Sequence, residues 1–356
     1  MSGESVLLAP VIPGKGGFGL RMRAGLLCRT LARLGSVHVV VVPVFGSLGD
    51  EAGENMPGDD MRILDIDTAV DIDTAVTSVA ALVDQAERVI VMREYLARFL
   101  ETVLNKEQRP LCVLDVDDIE SSTRRRFGDR AAADRYEALE HRYLPQFDRV
   151  LVCSDDDARE LGERFGVNPL VAPNAVDIPA KIGSVPPRWD LLFVANLSYP
   201  PNVDAARWVC TDVLPRLDGA TAALVGLNPA PEVLALGGRD VFVSGTVADV
   251  GPYYAASRVV VAPLHAGGGT SIKVLEAFAH RRPVVATTIG TRGIPVQHGE
   301  HLLVADDASS FAAACQQLLG DAERGERLAD AGFQLVHERF TTDQISASLA
   351  DVLSRS

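Results

Sequence analysis

The sequence predicts an α/β protein made of two doubly wound domains, and three observations carry that expectation. The chain has 356 residues, beyond the size at which one hydrophobic core usually keeps growing, so two domains of about 150–180 residues each are expected. Short β-branched, apolar runs alternate with stretches of helical periodicity along the chain, the pattern of parallel strands joined by crossover helices. Two glycine-rich turns, Gly14–Gly19 and Gly267–Gly269, each follow such a run and precede a helix, and open α/β sheets bind ligands at such turns.

In chain order, Val6–Ile12 is the first buried run, and Leu20–Leu34 places Met22, Leu26, Leu27, Leu31 and Leu34 at helical spacing. Val37–Val44 reads as the second strand. Residues 65–70 and 71–76 repeat Asp-Ile-Asp-Thr-Ala-Val; six residues fall far below a structural repeat and read as a loop insertion before a helix. Arg88–Met92, Leu111–Leu114, Arg149–Cys153 and Pro169–Ala172 are further strands, with helices over 94–105 and 129–147 and with Ser154 capping another. The Pro- and Gly-containing stretch 178–188 is the natural linker, giving domains at 1–177 and 178–340 and a last helix in 341–356. The second domain repeats the winding, with strands at Asp190–Ala195, Ala222–Val225, Val241–Val243 and Val259–Ala262 and a helix over Val203–Leu217.

The net charge of −14 argues against nonspecific nucleic-acid binding, which needs a basic field. The densest basic cluster, Arg124–Arg126, lies beside Asp117, Asp118 and Glu120 and reads as a solvated helix face. Five cysteines stand singly in mostly apolar segments, the pattern of buried thiols rather than of zinc ligands or disulfides. No run of 18 uncharged apolar residues exists and no basic stretch precedes Val6, so no integral membrane segment, no signal peptide and a cytoplasmic location are expected. None of the seven histidines forms a persuasive catalytic pair; His298 and His301 have ligand-like spacing but no third ligand in view.

The chemistry concentrates in Pro263–Thr287. After the strand, Gly267, Gly268 and Gly269 let a ligand approach the backbone, Thr270 is placed to cap the next helix, and Pro283 ends it. Lys273 opposes the positive end of the helix dipole, an arrangement that makes sense if an anion sits there. Glu276, three residues on, shares its face. A phosphate at Lys273 and a hydroxylated sugar at Glu276 would use both groups, which is the chemistry of a nucleotide.

The segment Lys273–Ala279 with Arg282–Thr287 resembles the donor-binding signature of glycosyltransferase family 4, in its triple-glycine form; Leu192–Ala206 and Pro13–Arg23 agree with it in order and spacing. The resemblance implies the GT-B architecture, two Rossmann-like domains facing each other across a cleft, the first on the acceptor side and the second holding the nucleotide sugar. It further implies a retaining transfer from a nucleoside diphosphate sugar to a hydroxyl on a small-molecule or glycan acceptor, with no cofactor and no metal. Donor contacts would come from Gly16, Gly17, Asn196, Val247, Gly268, Gly269, Thr270 and Ser271, with Lys273 and Glu276 at the reacting diphosphate and ribose. Arg93 and Asp117 stand at strand ends, where such sheets bind ligands, and with Arg21 would lie on the acceptor side; Arg23 is a further source of charge near the phosphates. The sequence departs from the family pattern at three positions. Gly268 stands where the first of two family glutamates is expected, and Asn196 and Asn202 stand near the positions of the usual Arg and Lys. Three alternatives follow from the residues: an inactive GT-B nucleotide-sugar-binding or regulatory protein; a metal-dependent GT-A transferase, from the Asp-x-Asp triplets at 65–67, 71–73 and 115–117; and an NAD-dependent oxidoreductase, from Gly14-x-Gly16-x-x-Gly19.

Overall fold

β1 (Ser5–Ala9) is buried along its whole length, as an apolar run must be when helices cover both faces of a sheet. The computed structural model describes residues 3–15, 17–42, 60–63, 72–181, 185–267 and 269–354. The chain divides into two compact units: Met1–Lys15, Gly19–Asn174 and Asp343–Ser356 form the first, and Gly16–Phe18 with Ala175–Thr342 the second.

The first unit continues with α1 (Gly19–Ala32), β2 (Val37–Val41), β3 (Asp60–Ile63), α2 (Ile72–Val83), β4 (Arg88–Met92), α3 (Glu101–Leu104), β5 (Leu111–Asp117), α4 (Glu120–Arg126), α5 (Arg130–Tyr143), β6 (Arg149–Val152), α6 (Asp155–Phe165) and β7 (Leu170–Val171). Its seven strands are parallel in the order β3-β2-β1-β4-β5-β6-β7. Alternation along each strand divides the core between two faces: Val6, Leu8, Val89, Val91 and Leu114 pack on one, and Leu7, Ala9, Ile90, Met92 and Val113 on the other. The second face is closed by Leu27 and Leu31 of α1 and by Leu349 and Leu353 of the last helix. Ser154 caps α6 by accepting the Asp157 N–H, as its sequence suggests.

Two sequence expectations are corrected in this unit. The stretch 94–105 is not one α-helix: Glu94–Leu100 winds as a 3-10 helix, which puts the buried Glu94, Ala97 and Leu100 on one edge at threefold spacing, before α3 begins. The duplicated hexapeptide is not wholly a loop, because Ile72–Val76 of the second copy is the start of α2; residues 64–71 lie outside the described residues.

The second unit contains β8 (Trp189–Val194), α7 (Pro200–Trp208), β9 (Ala222–Val225), α8 (Pro231–Leu234), β10 (Val241–Val243), α9 (Gly251–Ala255), β11 (Ser257–Ala262), α10 (Ile272–Ala279), β12 (Val284–Ala286), β13 (Leu303–Val304), α11 (Ala308–Gly320) and α12 (Ala322–Arg339). Six parallel strands run β10-β9-β8-β11-β12-β13, with Leu191, Phe193, Leu224, Val261 and Val285 in the core. The helix expected over Val203–Leu217 begins earlier, at the helix-starting prolines 200 and 201, and passes into a π turn, Val209–Val213, and a 3-10 turn, Leu214–Arg216. Pro215 lacks the N–H that a continued α-helix would need there. The chain ends with α13 (Thr342–Ser354), whose Ser346 accepts a 2.9 Å hydrogen bond from Arg33 Nε of the first unit. No helix among the described residues is long and apolar enough to cross a membrane.

Candidate functional site

In the second unit the winding reverses between β8 and β11, which pair directly through Val259↔Leu191 and Val260↔Leu192. The loops after these two strands, 195–199 and 263–271, therefore open at the same carboxyl end of the sheet, the place where such sheets bind ligands. The two sequence segments singled out for chemistry are brought together by topology alone.

Lys273 is the second residue of α10. Its Nζ donates a long 3.4 Å hydrogen bond to Asn202 Oδ1 and lies 5.8 Å from the centre of the Phe193 ring. Asn202 is itself buried at the start of α7, and its Nδ2 donates to the Asn196 carbonyl at 2.8 Å. Asn196 Oδ1 accepts from the Ser198 N–H and hydroxyl, which shapes the loop. Burial pushes the Lys273 ammonium down to about 8, with Glu276 opposing the shift. A half-buried lysine with one long bond to an amide oxygen is poised for a stronger acceptor, and a phosphate is one.

Glu276, one turn along α10, accepts from the Tyr254 hydroxyl at 3.3 Å on Oε2. Burial pushes its carboxyl up to about 7, against the pull of Tyr254 and Lys273. Gly269 has φ +64, a conformation that glycine adopts without penalty. Thr270 is buried but is not the cap: Ser271 occupies that position without a side-chain capping bond. The Ser271 Oγ is buried and has no hydrogen-bond partner among the described residues, and the Ser271 N–H is directed to Arg292 O at 3.4 Å. Val247 is half-buried in the loop after β10. Gly268 and Gly16 lie outside the described residues, and Gly17 is exposed in the loop before α1 with φ 100. His298 and His301 are spent on their own turn, accepting the Val304 and Gln297 N–H groups.

In the first unit the reversal falls between β1 and β4, so residues 10–15 and Arg93 share a sheet end. Arg21 packs against Gly14 so closely that a Cβ on residue 14 would stand 2.1 Å from Arg21 Nε. Arg23 is not the free charge for a phosphate site that the sequence suggested: it is buried, donates three times to Asp115 at 2.6, 3.1 and 3.2 Å, and reaches the Ala172 and Pro173 carbonyls. Burial opposes its charge, but the attraction of Asp115 outweighs this and keeps it protonated. Arg93 and Asp117 are brought together at 2.8 Å, and Arg93 also meets Glu120 at 3.3 Å. Both residues have positive φ, 67 and 56, a strained conformation that the ion pair helps to hold. The basic residues 124–126 form ion pairs with Glu120, Glu137 and Glu160 along a partly exposed helix face. Among the described residues no group of three or more His, Cys, Asp or Glu is placed to hold a metal ion.

Glu94, next to Arg93, is fully buried, and neither carboxyl oxygen finds a hydrogen-bond partner among the described residues. Burial first, and the neighbouring Glu140 second, push it up to about 8. An acid raised in the fold is protonated there while the unfolded chain ionises, so stability falls as pH climbs from about 4.3 toward 8. Glu94→Gln is therefore expected to stabilise the protein by roughly 1–3 kcal/mol at pH 7 and by almost nothing at pH 4; denaturant midpoints at the two pH values check this.

Residues 188–321 match the family model of Glycosyl transferases group 1. An uncharacterized 44.6 kDa protein in the cps region of Klebsiella pneumoniae is 24% identical over 173 residues, and the matched stretch spans 45% of this chain and 45% of that protein. Among solved structures, sucrose-phosphate synthase from Thermosynechococcus elongatus superposes with a TM-score of 0.77 at 15% identity, covering 99% of this chain and 98% of that one. Anabaena Alr3699/HepE, in complex with UDP-glucose, gives 0.76 at 16% identity over 99% and 100%. TarM gives 0.67 at 14% identity over 79% of this chain, which spans 58% of TarM. Within the second unit, residues 188–321 are thus similar to the group 1 glycosyl transferases, and the chain has the GT-B fold of two Rossmann-like domains.

Proposed function

We propose that the protein is a retaining glycosyltransferase that moves a sugar from a nucleoside diphosphate to a hydroxyl-type acceptor, needs no metal, and acts in the cytoplasm. The observation that carries this reading is Lys273 at the start of α10, whose hydrogen bond among the described residues is a long one to Asn202, with Glu276 one turn further on. The bond from the anomeric carbon to the diphosphate oxygen breaks, the bond to the acceptor oxygen forms on the same face, and the acceptor proton leaves with the phosphate. Negative charge grows on the departing diphosphate, where the ammonium and the helix dipole stabilise it most. Glu276, when ionised, accepts two hydrogen bonds from the ribose diol. UDP is the first nucleotide to test, because the Alr3699/HepE complexes hold UDP or UDP-glucose.

A thermal-shift panel of UDP, GDP, ADP, dTDP and NAD, with and without chelator, tests the donor half. At 100 times its dissociation constant a ligand adds about 2.7 kcal/mol to apparent stability. A shift with one nucleoside diphosphate that survives chelation is the expected result, followed by slow release of that diphosphate from its sugar conjugate. Binding without any release would favour an inactive nucleotide-sugar-binding protein, a reading to which Gly268 in place of the expected glutamate lends weight. A shift with NAD alone would overturn the proposal.

A further inference from the structure

Tyr254 belongs to none of the segments that the sequence singled out. It lies on the five-residue helix α9, completely buried, 22 residues before Glu276. Its hydroxyl donates to Glu276 Oε2 at 3.3 Å, and its ring lies flat on the His280 imidazole, with centroids 4.5 Å apart and planes 10° from parallel. Glu276 lies in α10 and His280, four residues on, is the residue at its C-terminal cap, one turn along the same side. The tyrosine is thus gripped at both ends by the same helix: the stack fixes the ring, and the fixed ring fixes the hydroxyl.

A buried tyrosine hydroxyl needs a partner, and a carboxylate is the strongest it can find. The bond also restrains a side chain that would otherwise rotate, and an ordered carboxylate plane is what recognition of two adjacent hydroxyls requires. We propose that Tyr254 is a positioning residue for Glu276, holding Oε2 so that Oε1 faces the hydroxyl pair of a bound ribose. The inference rests on the ribose role given to Glu276 above.

The charged surroundings define how it is read. Lys273 on α10 and Tyr254 on α9 both favour the ionised form of Glu276. His280, pushed down to about 4 by burial and Arg282, is neutral at physiological pH, with Asp249 as its opposing charge. Burial already raises Glu276 to about 7, so loss of the tyrosine hydroxyl pushes it further up and shifts the carboxyl toward the protonated form, which accepts less well.

The test uses the full chain as wild type, Tyr254→Phe, Glu276→Gln and the double variant. Without ligand, Tyr254→Phe is expected to lower the urea midpoint by an amount that grows between pH 6 and pH 9, as the carboxylate it has lost ionises. In the Glu276→Gln background the same substitution is expected to show no such growth. With UDP, Tyr254→Phe is expected to weaken binding about 5- to 20-fold at pH 7, and the ratio to wild type is expected to narrow at pH 9, where Glu276 ionises even unaided. A loss of stability that is equal at every pH and in both backgrounds overturns the proposal, since a purely packing role would behave that way. Wild-type UDP affinity in Tyr254→Phe, alongside weakened affinity in Glu276→Gln, overturns it separately while leaving the ribose role intact. Wild-type affinity in Glu276→Gln removes the ribose role itself, and with it the purpose assigned to Tyr254.

Discussion

Replacing Asp115 with alanine is expected to destabilise the first unit by about 3–5 kcal/mol, because it strands the buried Arg23 guanidinium without its counter-ion. The two side chains are fully excluded from solvent and meet at 2.6 Å, and the remaining Arg23 bonds, to the neutral Ala172 and Pro173 carbonyls, do not replace the lost counter-ion. A loss of this size is a large share of the stability of an ordinary domain, and the denaturant midpoint would show it directly. Replacing both partners with apolar residues of similar volume is expected to recover most of the loss, since a buried ion pair is worth little over good packing. If the single variant unfolds at the wild-type midpoint, the pair is not buried as described.

Lys273→Met is expected to weaken UDP binding by roughly 10- to 150-fold, the equivalent of about 1.5–3 kcal/mol for a charged hydrogen bond. The sign for the unliganded protein is opposite. A lysine lowered to about 8 by burial costs the fold stability while it is protonated, and that cost fades as pH rises from 8 toward the unfolded value near 10.4. The methionine variant is therefore expected to melt higher than wild type at pH 7 without ligand. Wild-type affinity for UDP is expected to fall as pH rises through about 8, where the ammonium is lost. Calorimetric titration at pH 7 and pH 9 checks both statements, and equal UDP affinity in variant and wild type would remove Lys273 from the phosphate site.

The doubly wound α/β class and the strand, glycine-turn and helix segment around residues 258–279 were legible in the sequence because they depend on local signals. β-branched runs, glycine turns and a lysine at the wrong end of a helix dipole are all visible within a window of about 20 residues. Contacts decided by long-range packing were not. Arg23 looked like a free basic group until Asp115, 92 residues away, was folded against it. Tyr254 carries no periodic or motif signal in its short helix, yet it touches Glu276. The cap at α10 was misplaced by one residue, since Thr270 and Ser271 have equal propensity and only the backbone decides between them. Arg93 and Asp117 were both named from their strand-end positions, but their mutual pairing and strained backbone needed coordinates to appear.

The return of the chain to the first unit at Asp343 has a consequence for synthesis. Domains usually fold as they emerge from the ribosome, N-terminal first. Here one face of the first sheet lacks Leu349 and Leu353 until residues 343–354 are made, and Arg33 waits for Ser346 across a separation of 313 residues. The contiguous segment from Ala175 to Thr342 has all its strands in hand before that. The unit that begins the chain is therefore the one whose core is completed last, and its unfinished apolar face is the part of the nascent protein most in need of protection from aggregation.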